Sequence, residues 1–173
     1  MSTIIDDATI TGTSSGDNIK GTDGDDIIVA GGGRDNVRAG AGDDIVFGGA
    51  NRDKIYGQEG DDTLYGNGSN DRLYGGDGSD TIVGGAGDDV LYGDNPNDGG
   101  LLEGWSDTFV FGTNDGRDKI LDFEQGIDVL LMEGGSAEDV SFAYKAGNTI
   151  ISYGDTTVLV YDATLDVNDL TFA

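Results

Sequence analysis

The amino-acid sequence predicts an all-β fold in which short parallel strands stack into a coil. Three observations lead to this prediction: a strict period of nine residues, an aliphatic residue at the same place in every period, and 32 glycines against one proline among 173 residues. A fixed period of this kind marks a repeat architecture, in which each unit buries its apolar side against its neighbours. Abundant glycine without abundant proline excludes a collagen-like chain.

The nine-residue units run without a gap from Gly12 to Tyr92. They read GTSSGDNIK, GTDGDDIIV, AGGGRDNVR, AGAGDDIVF, GGANRDKIY, GQEGDDTLY, GNGSNDRLY, GGDGSDTIV and GGAGDDVLY. Position six is always aspartate: Asp17, Asp26, Asp35, Asp44, Asp53, Asp62, Asp71, Asp80 and Asp89. Position eight is always aliphatic: Ile19, Ile28, Val37, Val46, Ile55, Leu64, Leu73, Ile82 and Leu91. Positions one to six favour turns, and positions seven to nine form a short strand whose middle residue points inward.

These units resemble the GGxGxDxUx repeats of the RTX (repeats-in-toxin) family. The resemblance implies a right-handed parallel β-roll over residues 12–110, with strict repeats over 12–92. Two repeats make one coil, so odd and even repeats form opposite sheets. Residues 1–11 are expected to add an N-terminal capping strand, and residues 111–173 a C-terminal antiparallel capping segment, because the last coil of an array has an open edge.

The C-terminal segment predicts strands of its own. Asn148–Tyr153 and residues 156–161 flank Gly154 and Asp155 and are typical of an antiparallel hairpin. Residues 165–173 are acidic and then apolar, and they resemble the uncleaved signal of type I secretion. Residues 1–11 contain no apolar run, so no Sec-type signal peptide is expected, and no apolar stretch predicts a membrane span. The resemblance thus implies a secreted, extracellular protein that uses the type I secretion machinery.

The charge balance limits the chemistry. The chain has 34 acidic and 9 basic residues and a net charge of −25, which argues against nucleic acid as a partner. It has no cysteine or histidine, so thiolate and imidazole metal sites, cysteine nucleophiles and histidine-based triads are excluded. Paired carboxylates can perform acid–base chemistry, but a metal explains every regular pair, so we expect no catalytic residues and no enzyme activity.

The resemblance places turns two repeats apart directly above one another, so their position-six carboxylates lie close together. At about 5 Å and an effective dielectric constant of about 20, two carboxylates repel by about 3 kcal/mol. A Ca²⁺ ion between them reverses the sign of the interaction, and Ca²⁺ takes six to eight oxygen ligands. Glycine in the turn allows main-chain carbonyls to point at the ion.

The predicted metal ligands are the nine position-six aspartates, Asp98 and Asp107 further along the frame, and the turn residues Gly24, Gly33, Gly42, Gly60, Gly78 and Gly87. The stacked pairs are Asp17–Asp35, Asp35–Asp53, Asp53–Asp71 and Asp71–Asp89 on the odd edge, and Asp26–Asp44, Asp44–Asp62 and Asp62–Asp80 on the even edge. This arrangement predicts about seven calcium ions, and up to nine with Asp98 and Asp107. The odd turns have Ser15, Asn51 and Ser69 at position four, so weaker or fewer ions are expected there.

The outward faces of the two sheets differ. The odd face combines basic residues with tyrosines: Lys20, Arg38, Lys54, Arg72, Tyr56, Tyr74 and Tyr92. It suits an anionic polysaccharide such as an alginate-like polyuronate, and similar rolls occur beside alginate epimerase domains in the family; local charge balance is the alternative. The even face is apolar, with Ile27, Val29, Ile45, Phe47, Thr63, Tyr65, Thr81 and Val83. We expect the C-terminal chain, or a second copy, to cover it.

The predicted function is that of a calcium-binding secreted protein or module that folds when it meets extracellular Ca²⁺. Two alternatives remain. One is a polysaccharide-binding module of a larger secreted enzyme, carried by the odd face. The other is an adhesin or surface-layer component that assembles through the even face.

Overall fold

A computed structural model of the chain describes residues 8–95 and 104–173, which form an all-β structure of two sheets. Sheet A contains β1 (Thr9–Thr11), β3 (Ile27–Gly32), β5 (Ile45–Ala50), β7 (Thr63–Gly68), β9 (Thr81–Ala86), β11 (Thr108–Phe111), β13 (Val129–Met132) and β17 (Leu170–Phe172), adjacent in that order. Sheet B contains β2 (Asn18–Lys20), β4 (Asn36–Ala41), β6 (Lys54–Glu59), β8 (Arg72–Asp77), β10 (Val90–Tyr92), β12 (Arg117–Ile120), β16 (Thr156–Val160), β15 (Asn148–Tyr153) and β14 (Val140–Lys145), adjacent in that order. Short 3₁₀ turns span Ala137–Asp139 and Val167–Asp169.

The repeat strands pair in parallel with a constant offset of eighteen residues. Val46, for example, pairs with Ile28 on one side and Leu64 on the other. Even repeats lie in sheet A and odd repeats in sheet B, so two repeats make one coil. The predicted parallel β-roll is confirmed.

The strands are longer than the three residues that positions seven to nine predict. Each inner repeat strand has six residues, because it continues through positions one to three of the next repeat. The backbone stays in register there: Gly31 pairs with Gly49, and the N–H of Gly32 donates to the carbonyl of Thr13 at 2.8 Å. Residues assigned to turns by composition therefore take part in the sheet, since the neighbouring coil supplies their hydrogen-bond partners.

Position eight forms the core between the two sheets. The aliphatic residues from Ile28 to Leu91 at this position have no exposed surface, and Ile19 in the first coil is 8 % exposed. Phe109 and Leu130 continue the core along sheet A, and Ile120 continues it along sheet B. The position-eight side chain of a single repeat has no apolar neighbour of its own to pack against, so its burial depends on the stacking of coils.

The C-terminal chain prolongs both sheets. In sheet A, β11, β13 and β17 stack in parallel beyond the repeats. In sheet B, β12 and β16 stay parallel, and β14 and β15 then add antiparallel strands at the end. The predicted hairpin is present as β15 and β16. The parallel stacking thus continues past residue 110.

Within the described ranges, no helix is long and apolar enough to span a membrane.

The expectation that the C-terminal chain covers the even face is wrong. Ile27, Val29 and Ile45 on sheet A are 44 %, 38 % and 38 % exposed. The C-terminal strands instead add to the ends of the sheets, because their own edges pair with the last coils. Covering by a second copy stays a prediction.

The core assignment makes a stability prediction. Leu64→Ala removes a fully buried side chain and is expected to lower the free energy of unfolding by about 2–5 kcal/mol, measured by urea unfolding in saturating calcium. The control is Ile27→Ala, which truncates an exposed residue and should change the free energy of unfolding by about 0.5 kcal/mol or less. Equal losses in the two variants would contradict a core built on position eight.

Candidate metal centre

Two ladders of aspartates run along the turns, one at each edge of the roll. In each ladder the backbone N–H of one aspartate donates to Oδ1 of the aspartate in the next coil. On the odd edge the donor–acceptor distances are 2.7 Å for Asp17 to Asp35, 2.8 Å for Asp35 to Asp53, 2.7 Å for Asp53 to Asp71 and 2.6 Å for Asp71 to Asp89. On the even edge they are 2.7 Å for Asp26 to Asp44, 2.8 Å for Asp44 to Asp62 and 2.8 Å for Asp62 to Asp80. The structure therefore brings together the seven pairs named from the sequence.

The second oxygen of the inner aspartates has no partner. Among the described residues, a buried Oδ2 atom without a hydrogen bond occurs in Asp35, Asp44, Asp53, Asp62, Asp71, Asp80, Asp89 and Asp118. These carboxylates are at most 3 % exposed. A buried charged oxygen without a partner costs several kcal/mol, so such atoms need either a proton or a cation. Their regular spacing along both edges fits a row of cations.

Burial raises the pKa values of these carboxyl groups. Desolvation raises the pKa of Asp62 to about 7, although the hydrogen bond from the Asp44 backbone lowers it, and the charge of Asp44 raises it further. By the same main cause, the pKa of Asp71 rises to about 8 and that of Asp80 to about 9. A cation that binds these oxygens must compete with protons.

The donor set suits a hard divalent ion. All side-chain donors are carboxylates, which together with carbonyl oxygens are the ligands that Ca²⁺ prefers. Within residues 8–95 and 104–173, no three carboxylates cluster closely enough to hold an ion by themselves. Each ion therefore needs main-chain carbonyls from the turns as well as the stacked aspartates.

Two glycine positions shape the turns. At position four, Gly60 has a φ of +123°, and a Cβ there would collide with the carbonyl oxygen of Gly42 in the coil below. At position one, a Cβ on Gly57 would occupy the space of Asp62 Oδ2. The sequence analysis missed the position-one glycines. Their recurrence five residues before seven of the nine aspartates was the available signal, with Ala30 and Ala39 as the two exceptions.

The other predicted glycines lie at position four of their repeats. Gly33, Gly42 and Gly78 share the left-handed φ, and Gly24 and Gly87 occupy the same turn position. On the odd edge, Asn51 and Ser69 adopt left-handed φ values of 75° and 83°, so the turn keeps its path without glycine there. Weaker binding on the odd edge stays a prediction.

Asp107 joins the ladder, but not where the nine-residue frame places it. Continued strictly, the frame puts Asp107 on the odd edge above Asp89. In the structure the N–H of Asp80 donates to Asp107 Oδ1 at 2.9 Å, so Asp107 lies on the even edge. Strand β11, which follows Asp107, pairs directly with β9 in sheet A, and this shifts the parity of the repeats. Asp98 lies outside the described residues.

The outward face of sheet B brings together the tyrosines and basic residues named from the sequence. Position nine forms one column: Lys20, Arg38, Tyr56, Tyr74 and Tyr92. The rings of Tyr56 and Tyr74 stack at 4.7 Å, and those of Tyr74 and Tyr92 at 4.8 Å. Lys54 Nζ lies 4.7 Å from the centre of the Tyr56 ring, and Arg72 pairs with Lys54 in the adjacent column. The result is a ridge of stacked rings beside a row of cations.

Positive charge is segregated to this side of the molecule. Seven of the nine basic residues lie on strands of sheet B, and Arg34 and Arg52 lie in the turns that lead into β4 and β6. The strands of sheet A contain no basic residue. The sequence analysis missed Lys119, which pairs with Val90 and joins the same face.

Nonapeptide turns stacked into two sheets, with a carboxylate ladder at each edge, define a calcium-binding β-roll. The sequence model for the RTX calcium-binding nonapeptide repeat matches four overlapping copies, at residues 11–46, 38–73, 47–82 and 65–98. Together these cover about half of the 173 residues. The chain therefore belongs to the family of RTX calcium-binding nonapeptide repeat proteins.

Two solved structures are similar to this chain. Extracellular lipase LipA from Serratia marcescens is 19 % identical with a TM-score of 0.48, and the match covers 96 % of this chain and 40 % of the lipase. The AlgE6R3 subunit of the Azotobacter vinelandii mannuronan C5-epimerase is 22 % identical with a TM-score of 0.40, and the match covers 93 % of this chain and 81 % of that subunit. The chain thus spans two fifths of the lipase. No curated protein matches the sequence.

The raised pKa values make a prediction for metal-free protein. A carboxyl group whose pKa is about 6 to 9 when folded, against 3.8 ordinarily, binds its proton more tightly in the folded state. Its stabilising contribution is full below the ordinary pKa and is lost as the pH rises through the folded pKa. We expect the β signal in circular dichroism of metal-free protein to fall from about pH 5 to about pH 9. A β signal that rises over this range would contradict the assignment.

Proposed function

We propose that this chain is a calcium-dependent folding module of a secreted protein, and that it has no catalytic role of its own. The observation that carries the proposal is the row of buried, unpartnered Oδ2 atoms along both ladders. Calcium ions between successive coils give these oxygens a partner and offset the repulsion between stacked carboxylates. Because the ladders exist only when coils stack, the binding free energy becomes folding free energy.

The charge of the chain supports a link between folding and location. The strict repeats contain 16 acidic and 6 basic residues, so they repel one another before metal binds. Each Ca²⁺ adds two positive charges, so about seven ions supply more than the charge needed to offset the net −10 of the repeats. Extracellular calcium modules have dissociation constants of about 0.1–1 mM, well above calcium levels inside cells. The chain is then open during export and folds outside.

The experiment is a calcium titration of metal-free protein followed by far-ultraviolet circular dichroism, with Mg²⁺ as control. We expect a cooperative gain of β signal with Ca²⁺ and none with Mg²⁺ at equal concentration, because Mg²⁺ gives up its water shell reluctantly. A full β signal in excess chelator at neutral pH would overturn the proposal.

A pair of neighbouring variants tests the ladder itself. Asp62→Asn removes an inner, buried carboxylate and should raise the calcium midpoint of folding about tenfold. The matched control is Asp61→Asn, which changes the same charge on an exposed neighbour whose Oδ1 accepts from the Ser79 N–H, as an asparagine oxygen also can. The control midpoint should stay near that of the unaltered protein. Equal shifts would assign the effect to net charge alone.

The second candidate function is binding of an anionic polysaccharide on sheet B. The observation in its favour is the concentration of all nine basic residues on this sheet and its turns, in a chain with a net charge of −25. The ridge of Tyr56, Tyr74 and Tyr92 supplies flat apolar surface beside the cations. Carboxylate groups of a polyuronate complement such a row, and the attraction weakens with salt.

Binding of mannuronate oligomers to calcium-loaded protein tests this second function. The double variant Lys54→Gln and Arg72→Gln should weaken binding about tenfold, since both cations lie beside the tyrosine ridge. Lys145→Gln, at the far end of sheet B in β14, is the control and should change affinity little. Absence of salt-sensitive binding by the unaltered protein would leave local charge balance as the role of this face.

A further inference from the structure

The segment that follows the repeats contains a further coil that the family match does not reach. Gly116, Asp118 and Ile120 have the spacing of positions four, six and eight of a repeat. Gly116 pairs with Gly87, and Ile120 pairs with Leu91, so the segment stacks on the ninth repeat in repeat-like register. The match to the nonapeptide repeat ends at residue 98.

Asp118 has the same surroundings as the inner rungs of the odd ladder. Its side chain is 2 % exposed, and its Oδ1 accepts the N–H of Asp89 at 2.9 Å. Its Oδ2 is buried and has no hydrogen-bond partner among the described residues. The nearby cation Arg117 is exposed and pairs with Asp88, at 3.3 Å between Nη2 and Oδ2. Within the described residues, the charge on Asp118 Oδ2 is therefore left without a partner.

Other rungs at the ends of the ladders are completed by local donors. Oδ2 of Asp17 accepts the N–H of Thr13 at 2.7 Å, and Oδ2 of Asp26 accepts the N–H of Thr22 at 2.6 Å. At the C-terminal end of the even ladder, Oδ2 of Asp128 accepts the N–H of Glu124 at 2.7 Å. The turn before Asp118 provides no such donor, so Oδ2 of Asp118, the last aspartate of the odd ladder, is left available to bind a cation.

We propose that Asp89 and Asp118 hold one further calcium ion outside the nonapeptide repeats, together with carbonyls of the two turns that meet at Gly87 and Gly116. The inference rests on the proposed calcium-dependent folding. Beyond Asp118 the ladder stops, because the next strand places the buried Val158 at this register. The ion at Asp118 is thus the last on the odd edge.

This ion fastens the antiparallel C-terminal strands to the roll. Strand β12 is the one connection in sheet B between β10 and β16, and through β16 to β15 and β14. Only two residue pairs join β10 to β12, whereas five join β6 to β8. An ion between Asp89 and Asp118 ties the two turns at this short junction, directly where the strands begin.

The experiment measures hydrogen exchange and bound calcium in Asp118→Asn. In calcium sufficient to protect the repeats, we expect the variant to bind one ion fewer and the amides of β14–β16 to exchange about tenfold faster, while those of β3–β8 keep their protection. Metal-free protein at neutral pH is open under the proposed function, so the variant and the unaltered protein should exchange alike there, and the comparison is made in calcium. Asp155→Asn, which changes the same charge on an exposed turn, is the control and should behave like the unaltered protein.

The outcomes separate this inference from the proposed function. If Asp118→Asn binds as many ions as the unaltered protein while Asp62→Asn weakens calcium-driven folding, the site at Asp118 is overturned and the folding proposal stands. Faster exchange of β14–β16 in Asp118→Asn without the loss of a bound ion would give Asp118 a role in hydrogen bonding alone and would also overturn the site. If the unaltered protein neither binds calcium nor folds with it, both proposals fall.

Discussion

The interaction on which the roll depends is the contact between aspartates eighteen residues apart. The backbone N–H of one aspartate satisfies Oδ1 of the next, as between Asp44 and Asp62, and this bond sets the vertical register of the coils. The same contact leaves Oδ2 buried and unpartnered, so the negative charge of each inner aspartate is not compensated by the protein. Geometry that is favourable for the backbone is therefore unfavourable for the carboxylate unless a cation or proton is present. Stacking of the coils therefore requires that these carboxylates be neutralised, which bound calcium would do.

Because two repeats make one coil, the outward positions of odd and even repeats are separated in space although they alternate in sequence. Position eight serves both sheets equally, so the core does not restrict positions seven and nine. Sheet B can therefore collect the cations and the stacked Tyr56, Tyr74 and Tyr92, while sheet A exposes Ile27 and Ile45. Substitutions at the outward positions seven and nine of one sheet can therefore alter its surface without disturbing the aspartates of either ladder.

The sequence predicts the repeats well because each position has one physical role. The register, the position-eight core and the seven stacked pairs all follow from the nine-residue period and from the coil that the family resemblance implies. The prediction weakens after Tyr92, where the period alone cannot show that β11 pairs with β9, so Asp107 lies on the even edge and not on the odd one. Asp118 was missed for the same reason: its glycine and aliphatic partners keep their spacing, but the segment is out of frame with the repeats. The exposure of Ile27 depends on where the C-terminal strands pair, which is a tertiary property.

The ends of the ladders are the reason to expect a collective response to calcium. At the N-terminal end, Thr13 and Thr22 complete the first carboxylates through the N–H and hydroxyl groups of the same turn, without metal. Inner aspartates have no such donor, and each is shared between the coil below and the coil above. We therefore expect an ion that binds at one level to order the aspartate that the next ion needs, which lowers the entropic cost of the next site. Because the carboxylates of the first coil are completed by local donors, we expect calcium-driven folding to begin there and to spread along the ladders.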